Sequence, residues 1–291
     1  RAAGGGARAM AEPATQPGIT TNSREQIAGA ESGIPLLHVR GVSKMFDGLL
    51  ALSSVTLAVW PGQIKGLIGP NGAGKTTLFN LIAGTLLPSG GDVRFLGWSV
   101  VGMPPYRIAA LGIARTFQGV QVFRGMTVLE HVLVGLHRHL HSGLIASALR
   151  TVALQREETA LRERATSLLD QFGLTAWRDV PADDLPFGMQ RLVEMARAMA
   201  TSPQLLLLDE PGAGLNAAEK AAMTELIRRI RDAGVTIFLI EHDMQLMMGL
   251  ADEVAVLDRG AILAEGPPAV VQGDPQVIAA YLGEAELDDE S

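Results

Sequence analysis

Cysteine is absent from the 291 residues, which excludes disulfides and thiolate metal sites and fits a reducing compartment. Long apolar runs are absent too. No stretch approaches the ~18 uninterrupted apolar residues of a membrane-spanning helix, so the hydrophobic fraction of 47% is available for a globular core. Basic runs are missing, and the formal net charge is −7. A general nucleic-acid binder needs a basic face, so no nucleic-acid partner is expected. The opening residues Arg1-Ala2-Ala3-Gly4-Gly5-Gly6 lack the apolar core of a signal peptide, and Met10 is an alternative start. Residues 1–33 are rich in Gly, Ala, Pro, Thr and Ser without apolar periodicity and are expected to form a disordered tail.

Strand and helix signals follow. Leu36 to Arg40 and Leu52 to Val59 read as strands, Pro61-Gly62 as a turn, Gln63 to Ile68 as a buried strand and Lys75 to Ala83 as the helix after it. From about 104 to 180 the chain carries helical spacing, more charge and few strand signals. Leu161, Ala165, Leu168, Leu169 and Phe172 fall on one helix face. With the helix expected from Pro186 to about Ala200, this stretch reads as an all-helical insert over about 104–200. Leu205 to Leu208 is a short strand, Glu219 to Asp232 a helix stopped by Gly234, and Val235 to Ile240 another buried strand. Asp258-Arg259-Gly260 marks a hairpin between Glu253–Leu257 and Ala261–Glu265. Alternation of this kind predicts a mainly parallel sheet with helices on both faces. The folded domain is expected over 34–284, followed by an acidic tail at 285–291.

Gly69-Pro70-Asn71-Gly72-Ala73-Gly74-Lys75-Thr76 matches the phosphate-loop pattern G-x-x-x-x-G-K-[ST] in full, between a predicted strand and a predicted helix. The glycines let the backbone wind its N–H groups around a phosphate, and the helix presents its positive end to the same anion. Lys75 supplies a charge for the β- and γ-phosphates. The hydroxyl of Thr76 suits Mg²⁺, and Thr77 reaches the α-phosphate side. A second signal is Leu205-Leu206-Leu207-Leu208-Asp209-Glu210, an apolar strand ending in two acids. A buried strand delivers its last residue to the ligand-binding edge of the sheet. Asp209 is the candidate for holding Mg²⁺, and Glu210 for polarising a water for in-line attack.

With these elements in order, the chain resembles the ABC ATPases over about residues 36 to 284. The resemblance implies a P-loop NTPase of the α/β class, with a mainly parallel core sheet, an antiparallel β subdomain and an inserted helical subdomain. It implies ATP and Mg²⁺ as cofactors. Gln118, in Arg115-Thr116-Phe117-Gln118, looks like the Q-loop glutamine that contacts Mg²⁺ and the attacking water. Leu185-Pro186-Phe187-Gly188-Met189-Gln190 occupies the place of the L-S-G-G-Q signature, and Ala213-Gly214-Leu215-Asn216 that of the D-loop. His242, in Ile240-Glu241-His242-Asp243, looks like the switch histidine that touches the γ-phosphate. Phe46 lies where the family stacks an aromatic ring on adenine.

Thr116-Phe117-Gln118, Gly214-Leu215-Asn216, Ile240-Glu241-His242-Asp243-Met244 and Ala280-Tyr281-Leu282-Gly283-Glu284 together resemble the branched-chain amino acid importer branch. That implies a peripheral motor at the cytoplasmic face of the inner membrane. Its implied partners are two permease subunits, a second cassette (the same chain or a paralogue) and, indirectly, an external solute-binding protein. The signature departs from the family pattern at Pro186, Phe187 and Met189, so a serine hydroxyl aimed at the partner's γ-phosphate is missing, while Gly188 and the following helix amides could still bind it. Asn216 replaces the usual D-loop Asp. His131, His137, His139 and His141 lie close together without Cys or clustered acids, so a solvated face or a subunit contact is expected rather than a metal site. Three alternatives stay open: a soluble ABC ATPase acting on ribosome or DNA, a switch that closes on ATP but barely hydrolyses it, and an exporter of lipid or lipopolysaccharide.

Overall fold

The computed structural model describes residues 33–137 and 152–288. The expected N-terminal tail up to residue 32, His139, His141 and residues 289–291 lie outside them. Among the described residues ten strands form two sheets. Strands β1 (Leu37–Phe46), β2 (Leu49–Val59), β4 (Gly90–Phe95) and β5 (Trp98–Ser99) pair antiparallel in the order β2-β1-β4-β5. The second sheet contains β3 (Ile64–Ile68), β6 (Ile113–Arg115), β7 (Leu205–Asp209), β8 (Thr236–Ile240), β9 (Glu253–Asp258) and β10 (Ala261–Gly266), in the order β10-β9-β3-β8-β7-β6. All its pairings are parallel except β9–β10. That hairpin turns at Arg259 (φ 45°) and Gly260 (φ 81°), the positive-φ pair that matches the twist of adjoining strands.

The central strands read as unbroken apolar runs because both faces are covered. Successive side chains point to opposite faces, so Leu205 and Leu207 join one core while Leu206 and Leu208 join the other. The first core lies between the two sheets. Helix α1 (Lys75–Ile82) fills it with Leu78, Phe79 and Ile82, all fully buried, and the Phe79 ring tilts against Phe238 at 5.0 Å. Burying one such ring stabilises by about 2–3 kcal/mol. The second core lies on the other face of the parallel sheet. It receives α3 (Val128–Leu136), α4 (Val152–Gln171), α5 (Phe187–Ala200), α6 (Ala217–Asp232) and α7 (Met244–Leu250).

The expected insert is helical from α3 onward. In α4, Ala165 and Leu169 are fully buried, with Leu161 and Leu168 packed beside them. A capping box between Thr127 and Glu130 starts α3. The expected boundary near 104 is corrected: α2 (Pro105–Leu111) leads into β6, which extends the parallel sheet beside β7. Three residues are too few to show strand periodicity, so Ile113-Ala114-Arg115 reads as part of the helical stretch. At the other end, α8 (Pro268–Gln272) precedes α9 (Pro275–Asp288), which carries helix past the expected limit at 284.

Two buried polar groups were invisible to periodicity. Lys65 on β3 is fully buried and ion-pairs with Glu253, at 2.8 Å, and with Glu265. His131 corrects the expected solvated face: it is fully buried in α3, whereas His137 is exposed. Its Nδ1–H donates to the Thr127 carbonyl at 2.9 Å, and its Nε2 accepts from the Phe123 N–H at 2.8 Å, so the ring is neutral. Among the described residues no cluster of His, Cys, Asp or Glu could hold a metal ion without other ligands.

Lys65→Ala leaves two carboxylates facing each other across a void and should lower the unfolding free energy by roughly 2–4 kcal/mol, read from urea titration. His131 gives a pH signature. Burial pushes its folded pKa below the ordinary value. Its contribution is therefore complete above the unfolded value of about 6.5, is lost as pH falls from there to the folded pKa, and is constant below it. Unfolding measured between pH 8 and 5 should show this loss in the native chain and a smaller one in His131→Gln.

Candidate active site

β3 ends at the phosphate loop, and the loop's shape demands glycine at two places. Gly69 has φ 147°, and a Cβ there would stand 1.9 Å from the Leu257 carbonyl oxygen of neighbouring β9. Gly74 has φ 105°, and its Cβ would meet the Ala51 carbonyl oxygen at 2.7 Å. The backbone thus passes too close to β9 and β2 for any side chain. Gly74 also begins α1 with no side-chain cap, leaving the first N–H groups to an anion. Pro70, Asn71, Gly72 and Ala73 form the bend between. Lys75 is buried, with its ammonium donating to the Gly69 carbonyl at 2.6 Å and the Pro70 carbonyl at 2.8 Å. Thr76 is exposed and Thr77 half-buried at the loop's exit.

The order of the parallel sheet sets β8 beside β3 and β7 beside β8, so their C-terminal ends share one edge with this loop. Asp209 ends β7, fully buried. Its Oδ2 accepts from Arg115 Nη2 at 2.9 Å, and its Oδ1 is buried with no hydrogen-bond partner. Burial pushes its carboxyl above the usual carboxylate range, opposed by Arg115. An acid in that state gains from a cation.

Glu210 follows, at φ 51°, with its N–H donating to the Ile240 carbonyl at 3.0 Å. Two predicted residues meet on its carboxylate. Gln118 Nε2 donates to Glu210 Oε1 at 3.2 Å. His242 Nε2 stands 2.9 Å from the same oxygen; a carboxylate only accepts, so the ring bears its proton there. Gln118 arrives on the loop after β6, and His242 on the loop after β8. Three segments distant in sequence therefore converge on one oxygen atom.

Gly188 and Phe46 stand apart from this convergence. Gly188 lies in the first turn of α5, where a Cβ would meet Leu215 and Glu219. Pro186 is the N-cap of α5 and provides no side-chain cap. Phe187 is 47% exposed. Asn216 caps α6: its side chain accepts from the Glu219 N–H at 3.0 Å, and Glu219 accepts from the Asn216 N–H at 2.9 Å. Phe46, at the end of β1, is 38% exposed, with the Lys44 ammonium 4.7 Å from its ring centre.

Four charged residues to which motif reading gave no role form the floor of the site. Arg115 joins Asp209 to Asn80 Oδ1, at 2.6 Å. Arg191 donates to the Glu210 carbonyl. Glu194 is buried and accepts from the Phe117 N–H at 3.1 Å. Glu241 is buried and accepts from the Gly212 N–H at 2.6 Å. Burial pushes both glutamates up. A cleft of about 470 Å³ opens between α2, β6, α3 and α5, lined by Tyr106, Phe117, Phe123, Val134, Glu194 and Arg197 among others. Tyr106 is 70% exposed. No helix among the described residues is long and apolar enough to cross a membrane.

The family model of the ABC transporter matches residues 52–213, and that of the branched-chain amino acid ATP-binding cassette transporter matches residues 261–286. The high-affinity branched-chain amino acid transport ATP-binding protein LivG of Escherichia coli (strain K12) is 45% identical over 86% of this chain and 99% of its own. The corresponding protein BraF of Pseudomonas aeruginosa is 44% identical over the same shares. A crystal structure of the ADP conformation of an ATP-binding cassette from an ABC transporter superposes with a TM-score of 0.75 at 31% identity, covering 86% of this chain and 99% of that one. A phosphate loop, an acid pair, a glutamine and a histidine in these positions, on a chain that matches such relatives almost end to end, make one family: the chain belongs to the ATP-binding subunits of ABC transporters.

Proposed function

We propose that this chain is the ATP-hydrolysing motor of an importer for branched-chain amino acids. The observation that carries the catalytic part is the meeting of Gln118 and His242 on Glu210 Oε1. ATP lies on the phosphate loop, with Lys75 and the backbone N–H groups of Gly69 to Thr77 around its phosphates and its base on Phe46. Lys75 leaves its bonds to Gly69 and Pro70 for the phosphate oxygens. Glu210 polarises the attacking water, Gln118 orients it, and His242 reaches the γ-phosphate. The bond between the γ-phosphorus and its bridging oxygen then breaks, releasing ADP and phosphate.

The residues fit Mg²⁺. The unpartnered buried oxygen of Asp209 and the exposed hydroxyl of Thr76 are hard oxygen donors beside the phosphate loop, and Gln118 adds a third. When bound, the ion neutralises charge on the β- and γ-phosphates. Asp209 would help to hold the ion, and Arg115 keeps its carboxylate oriented.

Two cassettes face each other, one phosphate loop against the partner's Gly188 segment, so that nucleotide bridges them only when closed. The second cassette is a copy or a paralogue. The cleft beside Phe117 takes a cytoplasmic helix of one permease subunit, and the second cassette's cleft takes that of the other, because an apolar floor with a charged wall suits an amphipathic helix end. The chain then works at the inner face of the membrane without entering it, and an external binding protein acts only through the permease. The names of LivG and BraF, and the match at 261–286, support the branched-chain solute.

Glu210→Gln should retain ATP affinity within about twofold while lowering turnover at least about 100-fold, since ground-state binding does not use that carboxylate. Phosphate release and equilibrium nucleotide binding measure both. Undiminished turnover contradicts the role. A native chain that binds ATP without releasing phosphate favours the switch reading.

A further inference from the structure

Arg191 lies one turn into α5, four residues after Phe187, and is 3% exposed. Its guanidinium bridges two features of the site. Nη1 donates to the Glu210 carbonyl, and the guanidinium carbon stands 5.2 Å from the centre of the Phe187 ring. Glu210 has φ 51°, a left-handed conformation that a non-glycine residue keeps only where its surroundings enforce it. Both backbone polar groups of Glu210 are tied, the N–H to Ile240, and the carbonyl to the Ala213 N–H at 3.1 Å and to Arg191. The tie to Arg191 comes from a side chain, so a substitution can remove it and leave the Ala213 bond in place. Phe187 stands where the family signature has glycine. Its ring lies against Gly214, whose Cβ would come within 3.1 Å of Phe187 Cε1. The ring therefore fills the space between the Gly214 loop and Arg191.

We propose that Arg191 is a positioning residue that sets the Glu210 carboxylate through the Glu210 backbone, and that Phe187 clamps Arg191 in place. This rests on Glu210 acting on the attacking water, as above. It has a consequence for communication between sites. The Phe187-Gly188 segment faces the nucleotide of the partner cassette, while Glu210 faces the nucleotide on its own phosphate loop. The path Phe187–Arg191–Glu210 thus joins the two nucleotides within one chain.

Steady-state hydrolysis and equilibrium ATP binding of the full chain test this in the native protein, Arg191→Met, Arg191→Lys and Phe187→Ala. Arg191→Met should lower kcat about tenfold or more with KM and ATP affinity unchanged, and Arg191→Lys should recover part of the loss. Phe187→Ala should lower kcat about threefold, and the double variant should fall no further than Arg191→Met, because the two side chains act in series. A kcat for Arg191→Met within about twofold of native, or a loss matched by an equal loss of ATP affinity, overturns the proposal. If Arg191→Met does not fold, Phe187→Ala decides, since that ring is half exposed: an unchanged kcat overturns the proposal. A native chain that hydrolyses no ATP overturns the motor reading itself, whatever the variants do.

Discussion

The site depends on a residue held where its backbone does not relax by itself. Glu210 sits at φ 51° directly after a fully buried strand. Such a conformation costs about 1–3 kcal/mol and persists only when neighbours over-determine it. Here the neighbours are the end of β8, through Ile240, the start of α5, through Arg191, and the following turn, through the Ala213 N–H. The strained turn rotates the carboxylate out of the line of β7, so that Asp209 stays buried while Glu210 faces Gln118 and His242. Sheet order does the rest. With β3, β8, β7 and β6 adjacent and parallel, their C-terminal ends bring the phosphate loop, His242, the acid pair and Gln118 to one edge.

Beneath that edge the structure buries charge. Arg191, Glu194, Asp209 and Glu241 are each almost fully enclosed, and Arg115 nearly so. Isolated, any of them would carry a large desolvation penalty, so each is stable only inside the set. Two of them, Arg115 and Glu194, also line the cleft, together with Arg197. Glu194 holds the Phe117 N–H, and Arg197 stacks at 5.1 Å on Phe123. Buried His131 holds the Phe123 N–H from the other side. A displacement of the cleft wall therefore moves the floor of the site, because close-packed charged groups do not deform continuously.

Much of this was readable beforehand, and the reason differs by residue. The phosphate loop, Asp209, Glu210, Gln118 and His242 sit at fixed offsets from apolar strands, so a motif and its flanks announce them. Both cores followed from runs such as Leu205 to Leu208. Arg115, Arg191, Glu194 and Lys65 gave no such signal: a charged residue in a helix or short strand reads as solvated until its partners, distant in sequence, are known. Arg115 had one available clue, its place three residues before Gln118. β6 was hidden by its length and β4 by its two opening glycines. His131 misled because three other histidines nearby suggested a wet face. Its burial depends on the loop that returns Phe123 over α3.

The central claim is that ATP hydrolysis here drives a membrane partner. It is tested most directly by purifying the tagged chain from gently solubilised native membranes, identifying the bound proteins and assaying ATP hydrolysis in the same fraction. The account predicts two polytopic permease chains together with ATPase activity. Recovery of ribosomes or DNA, or of the chain free of any membrane protein, would contradict it.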